Sequence, residues 1–257
     1  MYLFCIQDNH IYMVIKSNKR DFKANKLKIG TRGSPLALAQ ALEVKKEIIK
    51  HHKLNDQSVE IISISTKGDR VIDRPLTEIG GKGLFTEEIE NKLFHNEIDI
   101  AVHSMKDMPT EFPTGLGINT FLKREDFRDS FVSLKYNSIN ELPVGAVVGS
   151  SSIRRKAQLL SIRPDLKVVE FRGNVQTRLK KLEDGVADAT FLACAGLIRL
   201  GMKDLVNPIS PEVMMPAIAQ GIIGIEQRLN DNEITELLFP LNHEQTKTQA
   251  LVERAFL

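Results

Sequence analysis

The sequence predicts an α/β chain of two lobes, each built on a mainly parallel sheet. Three observations carry this reading. From Leu27 onward, short β-branched apolar runs alternate with stretches of helical periodicity. Helix starts follow the strands closely and carry capping residues, Ser34-Pro35 after the first strand and Ser150-Ser151-Ser152 after a later one. The alternation falls into two series joined near residues 122–127, with no internal repeat and no low-complexity tract. This βαβ rhythm places ligands at the carboxyl ends of strands. A length of 257 residues suffices for two ordinary domains, and 42% hydrophobic with 26% charged residues is the composition of a chain that buries a core.

In the first series, Lys28-Ile29-Gly30 reads as a short strand. Ser34 then caps a helix over 35–51, with Pro35 at its first position and Ala37, Ala41, Val44 and Ile48 on one face. Residues 59–65 are β-branched and apolar, hence a strand. Residues 66–83 hold Gly68, Pro75, Gly80, Gly81 and Gly83 and read as a long mobile loop, a kind of segment that commonly carries function. A helix over 86–95 and a buried strand over 98–102 follow, with His103-Ser104-Met105-Lys106-Asp107 as the strand's polar continuation. The second series opens near Pro143. It gives a strand at Val147-Val148, a turn over 149–152, a helix over 153–160, a strand over 167–171, a helix over 175–184 and a strand over 189–194. A further helix starts near His243.

Composition excludes several function classes. Lys and Arg number 35 against 33 Asp and Glu, and the net +2 makes no general case for a nucleic-acid or membrane-surface partner. The chain has no Trp, and 6% aromatic residues disfavour a base-stacking surface. Cys5 and Cys194 make neither a disulfide framework nor a Cys-rich metal site, and fit a reducing compartment. No apolar run reaches the ~18 residues that span a bilayer. Residues 1–15 are interrupted by Gln7, Asp8, Asn9 and His10, and their basic residues follow rather than precede, the wrong order for a secretory signal. That stretch reads as an extension, with Met13 an alternative start. Nucleotide loops, the dinucleotide fingerprint, H-E-x-x-H and G-x-S-x-G are all absent. The six His are scattered, so no metal site is expected.

The cations are placed informatively. Arg32 precedes one helix start, and Arg154 and Arg155 follow the triple serine at another. Arg172 follows a strand, Arg178 lies on the next helix, Lys82 sits in the glycine loop, and Lys106 follows the strand ending at Val102. Singly, each fits an ordinary solvated charge. Together, at junctions where backbone N–H groups and helix dipoles favour anions, they point to a polyanionic small ligand between two lobes. Asp107 is the acid in that setting. Its spacing fits a carboxylate that holds a ligand N–H or stabilises a developing cation, and equally a turn Asp that satisfies local backbone groups.

Several collinear motifs then narrow the reading. They are Thr31-Arg32-Gly33-Ser34-Pro35-Leu36-Ala37, Gly80-Gly81-Lys82-Gly83-Leu84-Phe85, Ala101-Val102-His103-Ser104-Met105-Lys106-Asp107 and Gly149-Ser150-Ser151-Ser152-Ile153-Arg154-Arg155. Phe171-Arg172-Gly173-Asn174-Val175, Cys194-Ala195-Gly196-Leu197-Ile198-Arg199-Leu200-Gly201 and Pro216-Ala217-Ile218-Ala219-Gln220-Gly221 agree. From Leu27 to Leu257 the chain resembles the porphobilinogen deaminase (hydroxymethylbilane synthase) family. The resemblance implies a transferase of tetrapyrrole and haem biosynthesis that joins four porphobilinogen molecules, with loss of ammonia, into hydroxymethylbilane. It implies a dipyrromethane cofactor on a cysteine thioether. It also implies periplasmic-binding-protein-like lobes and a cytoplasmic monomer acting without nucleic acid or membrane. By the same resemblance Asp107 is the catalytic aspartate. Arg32, Ser34, Lys82, Ser104, Lys106, Ser151, Ser152, Arg154, Arg155, Arg172, Arg178 and Arg199 bind or support cofactor and substrate carboxylates. Phe85 lies beside the pyrrole and Gln220 near the interdomain cleft. Ser150 stands where relatives carry Thr, and Ala219 where Gly is common, an exchange expected to matter little.

One departure stands out. The family's cofactor cysteine lies in a Gly-Gly-Cys segment shortly after a Glu-Arg-Ala helix, and Glu253-Arg254-Ala255 is followed here only by Phe256-Leu257. Neither Cys5 nor Cys194 matches that motif. The expected division is therefore an extension over 1–26, a first domain over 27–122 completed by 217–239, and a second over 127–216. Residues 240–257 would begin a third small α/β domain that is largely missing. The alternatives are a two-lobed anion-binding module or an inactive fragment.

Overall fold

The computed structural model describes residues 3–7, 10–14, 25–70 and 83–257, the first two segments as backbone only. In those two segments β1 (Leu3–Gln7) and β2 (His10–Val14) pair antiparallel as a separate ribbon. The first lobe holds β3 (Leu27–Arg32), α1 (Pro35–His52), β4 (Val59–Ile64), α2 (Lys67–Arg70), α3 (Glu87–Phe94), β5 (Ile100–Ser104) and β6 (Leu116–Phe121). The second holds β7 (Asp129–Ser133), β8 (Val147–Gly149), α4 (Ile153–Ile162), β9 (Lys167–Val169), α5 (Val175–Glu183), β10 (Ala189–Ala193) and α6 (Cys194–Arg199). The chain then returns as β11 (Ile223–Arg228), α7 (Asn232–Leu238) and α8 (Glu244–Ala255).

The sheets run in the orders β4-β3-β5-β11-β6 and β7-β10-β8-β9. β3 is parallel to β4 and β5, and β8 is parallel to β9 and β10. The antiparallel pairs involve β7 and β11, the strands nearest the two crossings between lobes. This is a mixed α/β architecture of two lobes, each with its own sheet.

Local sequence explains the helix starts. Ser34 Oγ accepts a hydrogen bond from Ala37 N at 3.3 Å, and Pro35 occupies the first helical turn. Ser152 and Asn174 cap α4 and α5 in the same way. On α1, Ala41, Val44 and Ile48 are fully buried against Leu27, Ile29, Ile100, Val102, Ile223 and Ile225. Ala37 stays half-buried because it faces the cleft. On the other face of this sheet, Ile89 and Leu93 of α3 pack against Ile64, Ile98, Ala101 and Leu116. The second lobe closes around Phe131 and Phe191, whose rings lie 6.2 Å apart, with Val148, Leu159 and Met214.

Some boundaries differ from expectation. Residues 67–70, expected in a loop, form a helical turn, held by Gly68 N donating to Leu84 O at 2.7 Å. Residues 71–82, including Gly80, Gly81 and Lys82, lie outside the described residues. β5 starts two residues later than expected and takes in His103 and Ser104, whose side chains find partners across the lobe. β9 ends before Phe171, whose ring packs on Gly149. Cys194 begins α6 instead of ending a strand.

The lobes are joined by two adjacent crossings. Glu125 N donates to Gly221 O at 3.2 Å, and Leu122 N to Ile223 O at 3.2 Å. Gly221 has φ +88°, and a Cβ there would stand 2.5 Å from Glu125 O, so only glycine allows these backbones to meet. α8 packs on the same junction. Arg124 pairs with Glu253, and Glu253 Oε2 accepts from Ala219 N at 2.7 Å.

Candidate active site

Asp107 stands in a 3₁₀ turn, Met105–Asp107, at the carboxyl end of β5. Met105 is anchored by its N–H to Ile222 O at 3.0 Å. From α8, Arg254 donates to Met105 O at 3.4 Å, to Met108 O at 3.2 Å and to Pro109 O, so the carbonyls around the turn are tied to the last helix. Met105 and Met108 are buried while Asp107 is exposed. The carboxylate therefore projects from a fixed backbone into a cavity of about 70 Å³. Arg32, Ser34, Phe85 and Ser104 line that cavity with it, as does Gln40, which sequence reasoning did not nominate. Gln40 Nε2 donates to Ser104 Oγ at 2.8 Å.

Arg32 is held on both sides. Its guanidinium lies 4.0 Å over the Phe85 ring and pairs with Asp69, Nε donating to Oδ1 at 3.2 Å. Burial pushes the Asp69 pKa up, but hydrogen bonds from Arg32 and Thr66 outweigh it and hold the carboxyl below its ordinary range. Gly68 lets the ring in, since a Cβ there would lie 2.2 Å from Phe85 Cε1.

Behind the cavity, His103 Nε2 lies 2.9 Å from Glu226 Oε2, with Glu226 fully buried. Burial raises the pKa of the nearby Glu90, and the negative Glu226 raises it further, against the opposing influence of Thr86 and His103. Glu90 and Glu226 carry no sequence signal beyond interrupting apolar runs.

The second lobe contributes cations differently from expectation. Arg154 and Arg155 both turn to Asp129, a fully buried carboxylate absent from the sequence candidates. Gln220, 1% exposed, joins them through Nε2, 3.0 Å from Asp129 Oδ1. Lys106 reaches from the first lobe to within electrostatic range of this group. Desolvation among the surrounding atoms lowers its pKa, although its residue keeps solvent access, and Arg155 and Arg178 lower it further while Asp107 and Asp129 oppose them. Arg178 is pushed down to about 10, chiefly by desolvation and then by Arg155, and remains charged at neutral pH.

Other candidates serve the frame. Ser151 Oγ accepts from Phe171 N at 3.0 Å, and Ser152 caps α4. Arg172 O accepts from Lys181 Nζ at 3.0 Å. Arg199 bridges the lobes, donating to Glu43 Oε2 at 3.0 Å and Gly221 O at 3.1 Å. Lys82 lies outside the described residues. Among the described residues no three His, Cys, Asp or Glu side chains form a metal-holding group, and no helix is long and apolar enough to cross a membrane.

The arrangement fits the carboxylates of a pyrrole oligomer, since it supplies fixed guanidinium and ammonium groups beside Asp107. Cys194 does not fit as a thioether anchor. It is fully buried, and desolvation, with Asp126 and Asp129 adding to it, pushes its thiol up to about 11. The side chain of Cys5 lies outside the described residues.

Comparison with known proteins places this geometry. A solved structure described as a pheromone cOB1 precursor/lipoprotein of the YaeC family, from Enterococcus faecalis V583, superposes with a TM-score of 0.52 at 14% identity. It covers 89% of this chain and 97% of that one, a likeness of fold alone. An ABC transporter periplasmic substrate-binding protein from Coxiella burnetii gives a TM-score of 0.44 at 17% identity, over 88% of this chain and 96% of that one. A porphobilinogen deaminase from Paracoccus denitrificans (strain Pd 1222) is 59% identical over 234 residues, 91% of this chain and 75% of that protein. The family model described as "Porphobilinogen deaminase, dipyromethane cofactor binding domain" matches residues 27–236, which hold both sheets, the cavity and the Asp129 cluster. The chain belongs to the porphobilinogen deaminase family.

Proposed function

We propose that this chain joins porphobilinogen molecules head to tail, four of them with one water giving hydroxymethylbilane and four ammonia, the water releasing the finished chain and supplying its hydroxyl. The carrying observation is the placement of Asp107, a carboxylate on an anchored turn at a cavity edge, with Arg32 on the same cavity and, next to it in the chain, Lys106, which feels Arg155 and Arg178 of the second lobe. In each step the methylene–nitrogen bond breaks and its electron pair leaves with ammonia. The methylene left behind is electron-poor. The α-carbon of the neighbouring pyrrole bonds to it and then loses its proton. Asp107 holds the reacting pyrrole N–H and stabilises the positive charge as it develops. Lys106 and Arg178 receive acetate and propionate groups, with Arg32 and Arg172 in supporting places. Bound dipyrromethane, the cofactor of this family, supplies the pyrrole end from which the chain grows. Phe85 offers a ring face beside the pyrrole, backed by the Arg32 guanidinium.

The protein is read as a cytoplasmic monomer using a small-molecule substrate, without nucleic acid or membrane; the near-neutral charge and the family support this. Residues 27–122 with 217–239, and 127–216, are the proposed units, supported by which strands share a sheet. The test is incubation of the protein expressed from its full gene with porphobilinogen. Hydroxymethylbilane formation with release of ammonia is expected. Binding of porphobilinogen without ammonia release would overturn the proposal in favour of a binding module.

A further inference from the structure

Residues 210–216 carry the chain from the second lobe to the crossing at 217–221 without forming a strand. Met214 is fully buried in the core of the second lobe, whereas Met215 is 67% exposed, and Pro216 has no N–H to donate. Side-chain burial therefore does not fix the backbone at Met215. Two polar side chains of α4 do. Met215 N donates to Gln158 Oε1 at 2.7 Å, and Gln158 Nε2 donates back to Met215 O at 3.1 Å. One amide thus engages both backbone groups of one residue, as a paired strand residue would. Arg154, one turn earlier on the same face of α4, donates to Met215 O through Nη1. Its Nη2 lies 2.8 Å from Asp129 Oδ2. The Arg154 side chain is 26% exposed, and a guanidinium has five N–H donors, more than these two contacts use.

We propose that Gln158 is a positioning residue for carboxylate binding: by clamping Met215 it holds Met215 O in the place from which that oxygen orients the Arg154 guanidinium toward an acetate or propionate. This rests on the porphobilinogen reading. Arginine is long and flexible, and one left loose in a half-exposed place must be ordered by every carboxylate it binds. Asp129 anchors one nitrogen of the guanidinium and Met215 O anchors another. Two anchors on two nitrogens set the plane of the group, and a carboxylate is gripped best in that plane. Without the clamp, nothing on α4 keeps the second anchor still.

The direct test is Gln158→Met in the full-gene protein, which keeps side-chain length and helix propensity and removes both hydrogen bonds. KM for porphobilinogen should rise about threefold to tenfold, the size expected when one more side chain must be ordered on binding, with kcat within about twofold of the parent. Arg154→Lys keeps a cation but has no fork to span the two anchors. Its own KM should rise, and adding Gln158→Met to it should change KM by less than about 1.5-fold, because no guanidinium is left to orient. An equal penalty from Gln158→Met in both backgrounds would make Gln158 a structural staple only and overturn the proposal. A second readout needs no ligand. Hydrogen exchange of the Met215 amide, read at single-residue resolution, should be at least about tenfold slower in the parent than in Gln158→Met. Should Gln158→Met fail to fold, exchange in the parent decides, because a Met215 amide that exchanges as fast as an unstructured one means there is no clamp. Protection of Met215 that depends on Gln158, together with no turnover of porphobilinogen by the parent, would refute the porphobilinogen reading and overturn the role given to Gln158 in it, while the clamp itself stands.

Discussion

His103 and Glu226 make a severe test of how this site is held. Glu226 has no exposed side-chain area, one oxygen is 2.9 Å from His103 Nε2, and the other has no partner. Replacing His103 by Leu leaves a carboxylate in the sheet with nothing to pair with. Breaking a buried pair in this way costs about 3–5 kcal/mol. For a chain of this size that is a fall in Tm of about 6–20 °C. The double variant His103→Leu with Glu226→Leu removes both polar groups and fills the space, and is expected within about 1.5 kcal/mol of the parent. Urea unfolding of the four proteins of the cycle, with m-values compared, measures the coupling. The effect should persist at high salt because the pair is out of reach of ions. A single-variant loss below about 1 kcal/mol, or a double variant as damaged as the two singles summed, would refute the reasoning.

Four further outcomes follow from particular residues. Gly221→Ala should destabilise by about 2–4 kcal/mol in denaturation, from the positive φ and the contact with Glu125 O. Ala219→Gly, despite φ +57° and full burial, should change stability by under about 0.5 kcal/mol, because relief of roughly 1 kcal/mol of backbone cost is offset by about 0.8 kcal/mol of lost burial. Glu90 has a raised folded pKa, so its protonated form favours the folded state below the unfolded pKa, and that stability is lost as pH rises through the folded value. Glu90→Gln should therefore stabilise the protein increasingly from about pH 4.5 upward and level off above the folded pKa, as thermal scans across pH would show; a gain confined to acid contradicts this. Cys194 should resist alkylation in the native protein and carry no pyrrole adduct by intact mass, and ready labelling at neutral pH would contradict its burial.

Much of this was legible in the chain. The capping serines fixed where α1 and α4 begin, and β-branched runs marked β3, β4, β5 and β10. The strands that escaped notice were β1, β2, β6, β7 and β11. β11 reads Ile-Gly-Ile-Glu-Gln-Arg, and its last three residues look like surface. They are buried because Thr235, eight residues on, and His103 and the carbonyls of Leu93 and Ile98, more than a hundred residues back, satisfy them. The same blindness hid Asp129. A strand-end aspartate carries no local mark of the two arginines that will reach it from a helix 25 residues later. Arg154, Arg155 and Arg199 were thus visible as cations, while their carboxylate partners Asp129 and Glu43 were not.

The central claim, that Asp107 works on porphobilinogen in this cleft, is tested most directly by Asp107→Asn in the full-gene protein, with binding and turnover measured separately. Asp107 is exposed on a turn whose backbone is anchored independently, so the fold and the cation array should survive. Porphobilinogen binding is expected within about threefold of the parent, with hydroxymethylbilane formation reduced about 100-fold or more. Turnover within about tenfold of the parent would contradict the account.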